Sequence, residues 1–312
     1  MNALEAQGQA GLIMGTLWHP MLAMAAATFV LVVGALGWAL LRRRGADEPT
    51  LDAGRERSMA RAVGAAVGLT IAVLLVCLVL DISVGRAITA TPGEQALQIR
   101  VTGHQWWWEV HYRDSVAQRW VTTANEIHVP VGKPVAIELR STDVIHSFWP
   151  PSLTGKRDLI PGSENTLWLR AERPGVYRGQ CAEYCGHQHA KMAFEVIAQP
   201  ADSFARWLEA QRDTAMTPTS SLARRGQEVF LTSSCVMCHA IGGTPAGSRV
   251  GPDLTHLASR RDLAAATLKH TRGNLAAWIV DPQSIKPGSQ MPMVSIAPDE
   301  LDPLLSYLEG LK

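Results

Sequence analysis

The chain has 312 residues and carries 29 Lys and Arg against 28 Asp and Glu, a formal net charge of +1. Such a balance gives no footing for nucleic acid, and the length exceeds one ordinary domain. The overall apolar share of 47% is ordinary, but it is unevenly distributed along the chain.

Residues 17–41 (LWHPMLAMAAATFVLVVGALGWALL) are apolar apart from His19 and Thr28, and residues 62–80 (AVGAAVGLTIAVLLVCLVL) form a second such run. Each is long enough to cross a bilayer core of roughly 30 Å, so the sequence predicts a two-helix transmembrane hairpin. Residues 1–16 contain no Lys or Arg, unlike the front of a secretory signal, and are expected to be an extracytoplasmic tail. Arg42, Arg43, Arg44, Arg55, Arg57 and Arg61 all fall in the 42–61 connection. By the positive-inside rule that loop is cytoplasmic, and both ends of the chain lie outside. Neither span has a charged side chain in its middle, so the pair reads as an anchor that packs on a partner rather than as an ion path. Cys77 reads as apolar filler.

After a connector at 81–94 the pattern changes from continuous to alternating. Leu97, Ile99 and Val101 alternate with polar residues, as do Val135, Ile137 and Leu139, then Leu167 and Leu169, and Phe194 and Val196. Several short strands at this spacing predict an all-β sandwich over residues 81–212. A helix with Phe204, Trp207 and Leu208 on one face closes it. The run Gly103-His104-Gln105-Trp106-Trp107-Trp108 is unusual in this context, and Trp107 and Trp108 read as core or membrane-interface residues.

The stretch from Gly179 to Met192 places Cys181, Cys185, His187, His189 and Met192 within little more than a dozen residues. Thiolate, imidazole and thioether form the soft set that copper prefers. His146, at an upstream strand end, supplies a further imidazole. Two coppers bridged by Cys181 and Cys185 would each take one imidazole, from His146 and His189, with Met192 and a main-chain carbonyl as weak outer ligands. The bland alternative is a Cys181–Cys185 disulfide or an unmodified loop. His187 reads as a surface residue.

Residues 213–221 are polar, contain Pro and lack periodicity, which predicts a linker. Beyond them Cys235-Val236-Met237-Cys238-His239 is a C-x-x-C-H sequence. Its two thiols add to haem vinyl groups, while the next imidazole binds iron from the same side. A thioredoxin-like dithiol would need no such His and would call for a βαβ context. Gly226 to Leu231 end a first helix, Gly251 to Leu254 line a loop, and Leu301, Leu304, Leu305 and Leu308 form a stripe that can cover a haem. Met291, between Pro287-Gly288 and Pro292, is the expected sixth ligand, in preference to Met293. Cysteine use is then complete: two for copper, two for haem and one in a span.

C-x-E-x-C-x-x-x-H-x-x-M, preceded by Asp143-Val144-Ile145-His146-Ser147-Phe148, resembles the dinuclear copper (CuA) site of cytochrome c oxidase subunit II. The resemblance runs from the membrane segments to about residue 210. It implies a cupredoxin domain, with the Glu183 carbonyl as copper ligand and the Glu183 carboxylate facing subunit I and helping to hold magnesium. Trp106 matches the first aromatic of the family's G-H-Q-W-x-W motif, where electrons pass in from a docked cytochrome. Lys156 to Gly162 match a loop at the subunit I face, which implies either magnesium support by Asp158 or a loop salt bridge. Many family members begin the second span with Glu-Trp-Pro, linked to proton uptake; here Arg57-Ser58-Met59-Ala60-Arg61 stands instead. Glu56 is the nearby candidate, against a solvated loop charge. Residues 217–312 resemble an all-α class I cytochrome c domain, and the fusion is similar to the caa-type oxidases.

The implied function is electron input to a respiratory haem-copper terminal oxidase. Electrons pass from a cytochrome c-type donor to the chain's haem c, to the copper pair, and on to a haem of subunit I where oxygen becomes water. The spans lack the histidines of an oxygen-reducing centre, so a polytopic subunit I, with a subunit III, is an expected partner in a bacterial plasma membrane. Two other readings are a CuA-containing nitric oxide reductase and a membrane-tethered electron carrier. Cys181 and Cys185 argue against a quinol oxidase.

Overall fold

The structure, a computed structural model, describes residues 5–42, 53–89, 96–113 and 120–312. Arg43 and Arg44 of the arginine-rich connection therefore lie outside the described residues. The chain divides into two units, Leu12–Thr91 and Met1–Gly11 with Pro92–Lys312.

In the first unit, α1 spans Gln9–Arg42 and α2 spans Ala53–Thr89. Both run past the predicted apolar stretches at each end, because hydrophobicity marks the part that meets lipid whereas a nucleated helix extends at little cost. Glu56, Arg57 and Arg61, expected in a loop, are exposed residues at the start of α2. Thr28, Thr70 and Ser83 turn their hydroxyls back onto the carbonyls of Met24, Ala66 and Val79 at 2.7 to 2.9 Å. No hydroxyl among these three depends on water, as a span in hydrocarbon requires. Phe29 and Leu31 are 69% and 71% exposed, and so are most aliphatic residues on both helices, a surface that in solution would be an aggregation site.

In the second unit ten of the described strands build a sandwich: β1 (Leu97–His104), β2 (Trp107–Arg113), β3 (Trp120–Ala124), β4 (Glu126–Pro130), β5 (Val135–Ser141), β6 (His146–Trp149), β7 (Arg157–Leu159), β8 (Asn165–Leu169), β9 (Gly175–Cys181) and β10 (Ala193–Gln199). One sheet runs β3-β2-β1-β5-β8 and the other β4-β10-β9-β6-β7. The parallel pairs β1 with β5 and β4 with β10 cannot come from hairpins, so the chain crosses between sheets. Trp108, Phe148 and Phe194 fill the space between them, Phe148 stacked on Phe194 at 4.2 Å and Trp108 edge-on to Phe194 at 5.3 Å. Helix α3 (Ala201–Ala210) closes the domain, with Phe204 buried.

The N-terminal tail belongs to this unit. Gln7 donates to Ser152 and accepts from Glu172, and Gln9 donates to the Arg170 carbonyl, all through main-chain groups at 2.8 to 3.1 Å. No periodicity foretells this contact.

The C-terminal domain contains α4 (Ser221–Thr232), a short hairpin of β11 (Asp262–Leu263) and β12 (Leu268–Lys269), α5 (Arg272–Val280), α6 (Pro282–Ile285) and α7 (Pro298–Leu308). Helices α4 and α7 cross where Gly226 lies; a Cβ there would sit 2.0 Å from the Pro303 carbonyl oxygen, so only glycine permits the approach. The expected linker is irregular but held: Ala215 donates to the Gly242 carbonyl at 3.0 Å, and His256 reaches the carbonyls of Asp213 and Lys312.

The helical domain docks on the sandwich at the Gly179–Met192 end. Ala264, Ala265 and Ala266 are all left-handed, with φ of 53°, 58° and 53°. Each costs about 1–2 kcal/mol in that region, and each turns its carbonyl to a partner: Lys286 Nζ at 3.3 Å, the Ala193 amide at 3.2 Å and Arg178 Nη1 at 3.0 Å. Arg261 adds an ion pair to Glu195 at 3.1 Å.

Candidate functional site

Strand β6 brings His146 beside the loop that follows β9. Nδ1 of His146 lies 3.9 Å from Cys181 Sγ, the two sulfurs are 3.8 Å apart, and His189 Nδ1 is 3.6 Å from Cys185 Sγ. Met192 Sδ is 3.8 Å from Cys185, and the Glu183 carbonyl is 3.3 Å from Cys181. The structure thus gathers all six residues of the proposed copper set around one small volume. The sulfurs are too far apart for a disulfide, whose S–S bond is about 2 Å, and both thiols are free. The donors converge from two sides on the sulfur pair, as a bridged metal pair requires. Within the buried pair, the hydrogen bond with Cys185 pulls the Cys181 thiol well below its ordinary range, and the same contact with burial pushes Cys185 up. His187 is exposed.

Asp143, which the motif reading passed over, organises this site. Its Oδ1 is 2.8 Å from His146 Nε2, which turns Nδ1 toward the sulfurs, while Oδ2 accepts from the Gln105 amide at 2.7 Å. Burial opposes its charge, but the hydrogen bonds from His146, Val144 and Gln105 win and hold its pKa below the usual range. A carboxylate orienting a ligand imidazole from behind is a common outer-shell device. A carboxylate three residues before the histidine was the available signal. Gly103 makes room for the ring, since a Cβ there would meet His146 Cδ2 at 2.8 Å. Trp108 closes the inner side, with ring centroids 6.0 Å apart.

The second cluster lines a mostly apolar cavity of about 310 Å³ in which Cys235, Cys238, His239 and Met291 all have a face. His239 Nδ1 donates to the Pro252 carbonyl at 2.7 Å, leaving Nε2 free for a metal. Burial lowers its pKa and keeps it neutral, the form a ligand needs. Arg260 also lines the cavity, and its buried Nε has no hydrogen-bond partner. A thiol pair, a free imidazole nitrogen, apolar walls and one orphaned guanidinium nitrogen fit a haem with its anionic carboxylates. Met293 is 63% exposed, whereas Met291 lines the cavity. Gln283, which the sequence did not single out, pins the loop by donating to the carbonyls of Ser289 and Met291 at 2.9 and 2.8 Å.

Trp106 joins the two clusters. It lines the cavity, is 8% exposed, and donates its indole N–H to the Cys185 carbonyl at 2.9 Å. The resemblance implies a docked cytochrome at this residue; the domain covering it here is the chain's own. On the other side of the copper loop, Lys156 Nζ holds Asp158 Oδ1 at 3.3 Å and Glu183 Oε2 at 3.5 Å, so the two carboxylates considered for magnesium are neighbours.

The family model "Cytochrome C oxidase subunit II, periplasmic domain" matches residues 114–199, and the model "Cytochrome c" matches residues 223–312. The chain is 42% identical over 221 residues to cytochrome c oxidase subunit 2 of Alkalihalophilus pseudofirmus, an alignment covering 70% of this chain and 63% of the relative. It is 34% identical over 230 residues to cytochrome c oxidase subunit 2 of Bacillus subtilis, with the same coverage of 70% and 63%. The chain thus spans less than two thirds of the length of these relatives. The crystal structure of the periplasmic domain of subunit II of cytochrome oxidase from Bradyrhizobium japonicum aligns at 32% identity and a TM-score of 0.37, covering 39% of this chain and 97% of that one. The first domain implies CuA copper and the second implies haem c. With a copper-type donor set on the sandwich and a C-x-x-C-H cleft behind it, the chain joins a domain of the cytochrome c oxidase subunit II periplasmic type to a C-terminal cytochrome c domain.

Proposed function

We propose that this chain is the electron-input subunit of a haem-copper oxygen reductase, a subunit of a cytochrome c oxidase. The haem and the copper pair supply reversible one-electron carriage when bound. Cys235, Cys238, His239 and Met291 would hold the haem; Cys181, Cys185, His146, His189, Met192 and the Glu183 carbonyl would hold the copper pair. Electrons from a cytochrome c-type donor would enter at the haem and leave from the copper pair to a haem of subunit I. The observation that carries this reading is Trp106, a wall of the haem cleft that is hydrogen-bonded at 2.9 Å to the carbonyl of a copper cysteine.

Partners follow from the surface around Glu183. Ile145, Ile160 and Tyr184 are exposed there, next to the Asp158–Lys156–Glu183 group. Apolar residues around a pair of carboxylates support a docking face for subunit I, where those carboxylates would share magnesium. The purified complex with ferrocytochrome c is expected to consume oxygen; consumption of nitric oxide with no oxygen uptake would make it a nitric oxide reductase, and neither activity would leave a tethered carrier.

The two apolar helices are read as spans of a bacterial plasma membrane with both redox domains outside. Besides the arginines of the connection, the hydrogen bonds of Gln7 and Gln9 to the sandwich support this, since they keep the N-terminal tail and the copper domain on one side. Reporter fusions after Arg44 are expected to behave as cytoplasmic and fusions after Gly85 as exported. The reverse pattern would refute the topology.

A further inference from the structure

Lys286 stands where the two redox clusters meet, yet it belongs to neither ligand set. It follows α6, is only 3% exposed, and lines the haem cleft. Its Nζ donates to the Trp106 carbonyl at 2.9 Å and to the Ala264 carbonyl at 3.3 Å. Lysine normally keeps its ammonium in water, and here burial, with repulsion from Lys191 added, pushes the pKa down to about 7. A methionine would fill the same volume without that penalty, so the two hydrogen bonds are what the lysine contributes.

Those bonds join three parts that have to keep register. Trp106 belongs to the sandwich and its indole N–H is on the Cys185 carbonyl. Ala264 belongs to the left-handed segment of the helical domain that also receives Ala193 and Arg178. Lys286 itself begins the loop that ends at Met291. Other contacts hold the domains together, among them Gln188 to the Pro287 carbonyl at 2.6 Å and Lys191 to the Ile285 carbonyl at 2.5 Å. None of these two touches Trp106.

We infer that Lys286 is a positioning residue for electron transfer from haem to copper: it fixes the Trp106 backbone against the cleft so that the indole stays between the haem and Cys185. The inference rests on the haem-to-copper reading above. One electron leaves the ferrous haem and arrives on the oxidised copper pair, and no bond or proton changes at Lys286.

The test uses the full chain loaded with haem and copper. A photo-activated ruthenium reductant delivers an electron to the haem, and its reoxidation is timed against reduction of the copper band. Lys286→Met is expected to slow that transfer by about tenfold or more, a size known for small misplacements of reacting groups, with the haem and copper spectra unchanged. Lys286→Arg, which keeps donors at this point, recovers the rate to within about threefold of wild type, a difference under 1 kcal/mol in barrier height. Arg178→Gln, which loses a hydrogen bond of the same interface away from Trp106, transfers at the wild-type rate. A wild-type rate in Lys286→Met, a tenfold loss in Lys286→Arg, or an equal loss in Arg178→Gln overturns the inference. A wild-type haem that never reduces the copper overturns the haem-to-copper reading itself, and this inference with it.

Discussion

Cys185→Ser is expected to abolish the copper pair: bound copper falls from two ions per chain to one or none, and the electron-spin spectrum loses hyperfine coupling to two equivalent nuclei. The reason is geometric. Cys185 Sγ is 3.8 Å from Cys181, 3.6 Å from His189 and 3.8 Å from Met192, so three other donors of the site converge on it. A hydroxyl is a hard, poorly acidic donor and cannot replace a bridging thiolate toward copper. Cys181→Ser should behave alike, because the Cys181 sulfur faces His146 and the Glu183 carbonyl in the same way. Met192→Leu should disturb the spectrum far less, since a thioether is a weak ligand and leucine conserves the buried volume. With Cys185→Ser the haem should still be reduced by an external donor but should stay reduced, as its outlet is gone. A Cys185→Ser protein that keeps two coppers and the shared-valence spectrum would show that the bridge is built otherwise.

Local chemistry was legible in the sequence wherever it is carried by spacing. The alternation of Ile99 and Val101, or Val135, Ile137 and Leu139, marks residues that are buried between the sheets, because a strand side chain has a period of two. C-x-x-C-H and the clustered sulfurs and imidazoles are equally local. Asp143 and Gln283 escaped because their signals are weak: a carboxylate three residues before a histidine and an amide in a short helix are common, and only the fold shows them holding His146 and the Met291 loop.

The docking of the two domains was not legible for a different reason. Lys286 and Trp106 are 180 residues apart, and Gln188 and Pro287 are 99 apart. No pattern relates such positions, and the contacts use main-chain carbonyls, which every residue carries. The linker reading had the composition right, but composition does not register that Ala215 donates to Gly242 or that His256 reaches Asp213. Those contacts, with the left-handed alanines, turn a tethered domain into a seated one. Trp106 is accordingly covered, with its ring in the wall of the cleft and its indole N–H on the Cys185 carbonyl.

Met291→Ala is expected to lower the haem potential by a sizeable part of the roughly 0.8 V range over which axial ligands act, and to remove the weak charge-transfer band of sulfur-ligated ferric haem. Thioether ligation favours the ferrous state, so its loss to water or nitrogen stabilises the ferric form. The structure favours Met291 over Met293 on two grounds. Met291 lines the cavity that holds His239, whereas Met293 is 63% exposed and outside that lining. The loop is also pre-organised around Met291: Gln283 donates to its carbonyl at 2.8 Å and accepts from the Gly288 amide at 2.8 Å, and Pro292 restricts the backbone behind it. Little freedom is then left for a thioether to lose when it binds iron. A haem of lower potential would be a poorer acceptor for an external cytochrome, so oxygen uptake driven by that donor should slow while copper content stays normal. Met293→Ala should leave the band, the potential and the uptake unchanged. If instead Met291→Ala keeps the band and Met293→Ala abolishes it, the sixth ligand lies two residues further on and the Gln283 clasp holds the loop for another purpose.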